Sequence, residues 1–181
     1  MATEWVQSLV DQSHVPGKPP RRPVRPRPRP MTTRLTSDIL VAADELAAFE
    51  AARRSRDGET GAIVCFTGLV RAEAGSVTAL ELEAYPGFAE TQITAMAAAA
   101  AARHGLLDWR IVHRIGRMAP GSAVVFVATA ARHRRAAFEA CDQMMDWLKS
   151  RAPFWKKSHE PDGSRWIEPR PEDYTDASRW D

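Results

Sequence analysis

Long apolar runs are missing from this sequence. No stretch approaches the roughly twenty apolar residues that a membrane-spanning helix needs, and the first residues lack the apolar core of a secretory signal. Cysteine is scarce, with Cys65 and Cys141 the only two. No CxxC and no cysteine framework occurs, which excludes a disulfide scaffold and points to a reducing compartment. Both cysteines sit in apolar patterns and read as small buried hydrophobes. The five histidines are scattered, without HExxH or Cys/His spacing, so no metal site is expected. There is no GxSxG elbow, no phosphate-binding glycine-rich loop and no dinucleotide fingerprint. A cytoplasmic location is the expectation.

Net charge is small as well, +2 over 181 residues. It is unevenly placed. Residues 1–30 carry six cations (Lys18, Arg21, Arg22, Arg25, Arg27 and Arg29) against Glu4 and Asp11, which leaves nineteen cations against twenty-one acids in the rest. The basic character therefore belongs to the tail, and overall basicity gives little support to nucleic-acid binding. That tail ends in PGKPPRRPVRPRPRP. Proline removes N–H donors and fixes φ, so the run favours extended polyproline II over packing. Residues 1–30 are expected to be disordered and dispensable, with Met31 as a credible initiator.

What is present after Met31 is one domain's worth of patterned sequence with 44% hydrophobic residues. Arg34–Leu40 reads as a strand and Ala42–Arg54 as an amphipathic helix, with RDGET a turn. Gly61–Thr67, Trp109–Ile115 and Ala123–Ala130 read as strands, the last buried and central. Val77–Tyr85 alternates as a half-buried strand. Its Glu81 and Glu83 read as a solvated face. Pro86–Gly87 is expected to break the chain before an alanine-rich helix, Phe88–His104, with Ile93, Met96 and Ala100 on one stripe. Phe154–His159 and Arg165–Glu168 bracket Asp162–Gly163, a hairpin signal. Helices and strands without strict βαβ alternation predict an α+β fold, a mixed or antiparallel sheet packed by helices in a single domain.

The richest stretch is Arg132–Lys157. Ala137, Cys141, Met144, Met145 and Leu148 fall at helical spacing, and Pro153 ends the helix. The helix opens on Arg132, His133, Arg134 and Arg135 and closes on Lys149 and Arg151, with Lys156 and Lys157 just past the break. A helix N-terminus favours anions, although charge runs at helix ends are more often solvated faces. Convergence of these cations and Arg71 would call for an anionic ligand and would depress a lysine pKa.

GAIVCFTGLVR, LELEAYPGFAE, IVHRIGRMAPG, RHRRAAFEACDQMMDWLKSRAPFWKK and DGSRWIEP occur in that order. Together they closely resemble the large, catalytic subunit of molybdopterin synthase, from about Thr33 to Arg170. The resemblance implies sulfur transfer to cyclic pyranopterin monophosphate, giving the dithiolene of molybdopterin. Sulfur would arrive as a thiocarboxylate on the C-terminal Gly-Gly tail of a small ubiquitin-like subunit. Two large subunits would form a central homodimer with a small subunit at each end, a heterotetramer. No metal or cofactor is implied for the transfer itself. By position, Lys149 matches the family's catalytic lysine and Lys156 its second active-site lysine. Arg71 matches the arginine closing FTGxVR, and His133 and Arg134 match a pair that reaches the neighbouring subunit's site. Substrate contact is implied also at Leu69, Val70, Lys157 and Ser158. Many relatives carry lysine where Leu69 stands, and commonly Glu where Ser158 stands. The carboxylate that would orient Lys156 is thus missing, with Glu160 and His159 the candidates to replace it.

A second class of function is a module that binds nucleic acid or an acidic protein through the arginine-proline arm. Deleting the arm discriminates the two, since the enzyme would stay active from Met31 onward. A third, an idle scaffold that only docks the small subunit, is disfavoured by the presence of both lysines.

Overall fold

The computed structural model describes residues 31–54 and 58–181. The expectation for residues 1–30 lies outside them. In chain order the elements are β1 (Thr32–Thr36), α1 (Ala42–Arg54), β2 (Ala62–Leu69), a 3-10 turn (Glu73–Gly75), β3 (Ala79–Glu83), α2 (Pro86–His104), β4 (Asp108–Arg114), β5 (Gly116–Met118), β6 (Ala123–Ala131), α3 (Arg134–Ser150), β7 (Trp155–Glu160), β8 (Gly163–Ile167) and α4 (Pro171–Ser178). The class is α+β. β1 stops before the expected Leu40 because the Thr36 hydroxyl accepts the Asp38 N–H at 3.0 Å and turns the chain. Pro86 starts α2 rather than preceding it, since the first helical position has no use for an N–H. α2 ends on Gly105 in the left-handed region, φ 64.

The first sheet has strand order β1-β4-β6-β2, with β1 parallel to β4 and the other pairs antiparallel. Alternation along β6 sends Val125, Val127 and Ala131 to one face and Phe126, Ala128 and Ala130 to the other. α1 covers the second face through Phe49. α2 and α3 cover the first through Ile93, Ala97, Ala137, Cys141, Met144 and Leu148. Met144 and Leu148 are 0% and 3% exposed, so the stripe read from spacing is the buried one. Thr129, inside this face, donates its hydroxyl to Ala137 O at 2.8 Å.

Two readings are corrected. β3 does not join the first sheet. It forms the middle of a second, antiparallel one, order β5-β3-β7-β8, and packs Leu82 with Val70 and Met118 in a small core of its own. Alternation shows which side chains turn inward but not which strand lies alongside. Cys65 is exposed, not buried: β2 is an edge strand, and its middle residues, Cys65 to Thr67, are all exposed. Cys141 is buried, and its desolvation pushes the thiol up to about 12.

Candidate active site

Pro153 determines the local geometry here. α3 ends at Ser150, and the Arg151 and Ala152 N–H groups fold back onto Trp147 O at 2.8 and 3.1 Å. Phe154 N–H then reaches Ala152 O at 2.7 Å, so the chain reverses. β7 therefore starts beside the end of α3, and Lys156 Nζ donates to Lys149 O at 3.3 Å. The two lysines, seven positions apart, line one cavity of about 200 Å³ with Ala152, Phe154, Trp155, Trp166, Ile167, Glu168 and Pro169.

The lysines differ in environment. Lys149 is 58% exposed, with its ammonium 3.9 Å from Asp173 Oδ1. Lys156 is half-buried, and its pKa is held below the ordinary lysine range. Desolvation is the main cause; Asp173 opposes it and Lys149 adds to it. Asp173 comes from α4, where its carboxylate also accepts the Arg170 N–H at 2.9 Å. Neither Glu160 nor His159 supplies the carboxylate at Lys156. His159 pairs with Glu81 at 2.6 Å, and Glu160 accepts from Arg165 at 2.8 Å.

Arg71 approaches the lysines through a run of alternating charge. It donates to Glu73 at 2.7 Å, Glu73 lies 4.0 Å from the Arg170 guanidinium, and Arg170 caps the helix that carries Asp173. The loop follows from Gly68, where a Cβ would meet Val125 Cγ1 at 2.7 Å, and from a register shift between Gly68 and Leu69. Leu69 is exposed. Val70 is buried, and its backbone pairs with Ser122 O and Gly121 N. Alternation in β7 separates the remaining candidates. Ser158, 1% exposed, faces the core, while Lys157 lies over Trp166 at 4.8 Å from the ring centre.

His133 and Arg134 are elsewhere. They open α3, in a shallow open depression with Gly61, Arg132, Arg135 and Phe138. A 17-residue helix spans about 25 Å, so one chain keeps this cluster a helix length from Lys149.

Three residues at the lysine cavity were not anticipated. Arg170 caps α4 and Asp173 lies in its first turn, a helix that sequence reading did not place. The signal was there: Pro171 at the first helical position and Asp173 two residues on make a helix start. The third is His113 on β4. Its ring packs on Phe154 with centroids 4.4 Å apart, and its Nδ1 lies 3.0 Å from Arg114 O. That acceptor is a carbonyl, so Nδ1 carries the proton. Burial holds the imidazole far below the usual histidine range, at about 4; the Arg114 bond opposes this and Lys156 reinforces it. Among the described residues, no group of three or more His, Cys, Asp or Glu is arranged to hold a metal ion.

A cationic cavity at a helix end is a geometry that several functions can use, and comparison with known proteins narrows it. Residues 41–151 match the MoaE protein family model. A molybdopterin synthase catalytic subunit from Caulobacter vibrioides is 65% identical over 123 residues, 68% of this chain and 82% of that protein. The solved molybdopterin biosynthesis MoaE protein from Burkholderia ambifaria is 44% identical with a TM-score of 0.68, over 82% of this chain and 97% of that one. Molybdopterin synthase from Staphylococcus aureus superposes with a TM-score of 0.63 at 29% identity, over 74% and 94% of the two chains. With the family match running from α1 through β2 to β6 and the helix that carries Lys149, the chain belongs to the MoaE family.

Proposed function

We propose that the lysine cavity is where this chain, as a molybdopterin synthase catalytic subunit, transfers sulfur from a thiocarboxylated small subunit to cyclic pyranopterin monophosphate. The observation that carries the site assignment is the pairing of Lys156 with Lys149 at the reversal after Pro153. Both reactants are anions, a cyclic phosphate and a thiocarboxylate, and the cavity's lining sets two ammonium groups against one carboxylate, Glu168. In each transfer, sulfur bonds to a substrate carbon as a C–O bond at that carbon breaks, the oxygen leaving with the phosphate or as water, and the acyl carbon of the tail exchanges its sulfur for a water-derived oxygen, ending as carboxylate.

The environments favour a division of labour. Lys156, desolvated and beside another cation, is suited to supply a free amine as base or nucleophile. Lys149, exposed and paired with a carboxylate, is suited to act as a fixed cation for the thiocarboxylate or phosphate. This differs from the expectation from the resemblance, in which Lys149 matches the catalytic lysine and Lys156 the second. Leu69, Val70, Lys157 and Ser158, from which the resemblance implies substrate contact, are not part of this cavity's lining. His133 and Arg134 would serve the site of a second copy, which makes the working unit a homodimer with composite sites and, with small subunits bound, a heterotetramer.

The test is dithiolene formation from purified chain, thiocarboxylated small subunit and the pyranopterin. Lys156→Arg keeps charge and removes the titrating amine. It should lose about two to four decades of rate, while Lys149→Arg retains more activity than Lys149→Ala. Near-wild-type turnover by Lys156→Ala would remove this cavity as the site.

A further inference from the structure

We propose that His113 is a positioning residue of the sulfur-transfer site, acting through the ring of Phe154 on the ammonium of Lys156. Its kinetic consequence rests on the function proposed above; its structural consequence does not.

His113 projects from the face of β4 that also carries Trp109 and Ile111, both in the main core. Histidine in such a place must satisfy its polar atoms locally. Its Nδ1–H is satisfied by the adjacent backbone, Arg114 O, which fixes the ring plane without recruiting another side chain. The ring then meets Phe154 at 4.4 Å with a 34° tilt, a stacked rather than edge-on contact. Phe154 is held from two sides, by this ring and by its own N–H to Ala152 O. It is therefore the fixed point from which β7 leaves the reversal.

Side chains two apart in extended chain share a face. Phe154 and Lys156 accordingly project together into the cavity they line. Phe154 provides the apolar wall that strips water from the Lys156 amine, and His113 sets where that wall stands. Burial keeps the ring uncharged, and Lys156 nearby adds to this.

Two variants divide the ring from its hydrogen bond. His113→Asn keeps a short donor and removes the ring; His113→Phe keeps a ring and removes the donor. Titration of the Lys156 Nζ is followed by NMR in the free chain, and kcat and KM are measured with the thiocarboxylated small subunit and the pyranopterin. In His113→Asn the Lys156 titration should move up toward that of an ordinary lysine. Its kcat should fall about ten- to a hundred-fold at unchanged KM, the cost of a slightly misplaced group. His113→Phe should recover most of both. Phe154→Leu, which leaves His113 in place and removes the partner ring, should reproduce the His113→Asn shift and decides the matter if that variant does not fold. A folded His113→Asn with wild-type Lys156 titration and kcat overturns the proposal, as does a His113→Phe that loses as much as His113→Asn. A wild-type chain that made no dithiolene would refute the function instead, and the lysine titration would still judge the role of His113.

Discussion

Mixing a Lys149→Ala chain with an Arg134→Ala chain should create activity that neither possesses. α3 holds Arg134 at its first residue and Lys149 in its last turn, 17 residues that span about 25 Å. An arginine side chain does not bridge that distance, so within one chain the two cations cannot meet one substrate. If both are needed, a two-fold dimer must bring Arg134 of one copy to Lys149 of the other. In a Lys149→Ala homodimer both sites lack the lysine, and in an Arg134→Ala homodimer both lack the arginine. A heterodimer has one site missing both and one site intact. Re-equilibrated one-to-one mixing yields about half heterodimers, so roughly a quarter of all sites, and of the wild-type rate, should return. The assay is dithiolene formation against the unmixed variants, with subunit exchange verified by native mass spectrometry on differently tagged chains. Confirmed heterodimers whose rate is no higher than the mean of the two variants would refute the composite site.

Stability should report the neutral state of His113. Its folded value near 4 against an ordinary 6.5 means that, as pH falls through that window, the unfolded chain takes up a proton the folded chain refuses. Wild type should therefore lose about 3 kcal/mol between pH 7 and pH 4 that His113→Phe does not lose, read from urea unfolding at both pH values; parallel losses in the two proteins would contradict the burial argument. Met144→Ala, at a fully buried point of α3, should cost about 2–5 kcal/mol. A loss under about 0.5 kcal/mol, the size of an ordinary surface change, would mean that α3 does not seat on the first sheet as described.

Local chemistry was written in the sequence. The spacing of Ala137, Cys141, Met144 and Leu148 gave the buried face of α3, Pro153 gave its end, and Asp162–Gly163 gave the hairpin of β7 and β8. Each depends on a few neighbouring residues and on steric limits that hold in any context. The cations themselves were visible too, but not which of them meet. β3 could not be assigned to the second sheet from its own alternation, because a strand's period fixes its faces and leaves its partners open. Cys65 looked buried for the same reason: its pattern was apolar, and only the edge position of β2 left it uncovered. Asp173 lies twenty-four positions after Lys149, and His113 forty-one before Phe154, distances over which no sequence period operates. Packing of α4 on α3 and of β4 behind the reversal decided those contacts. The burial of Lys156 is a property of those surroundings, not of the lysine or its neighbours in the chain.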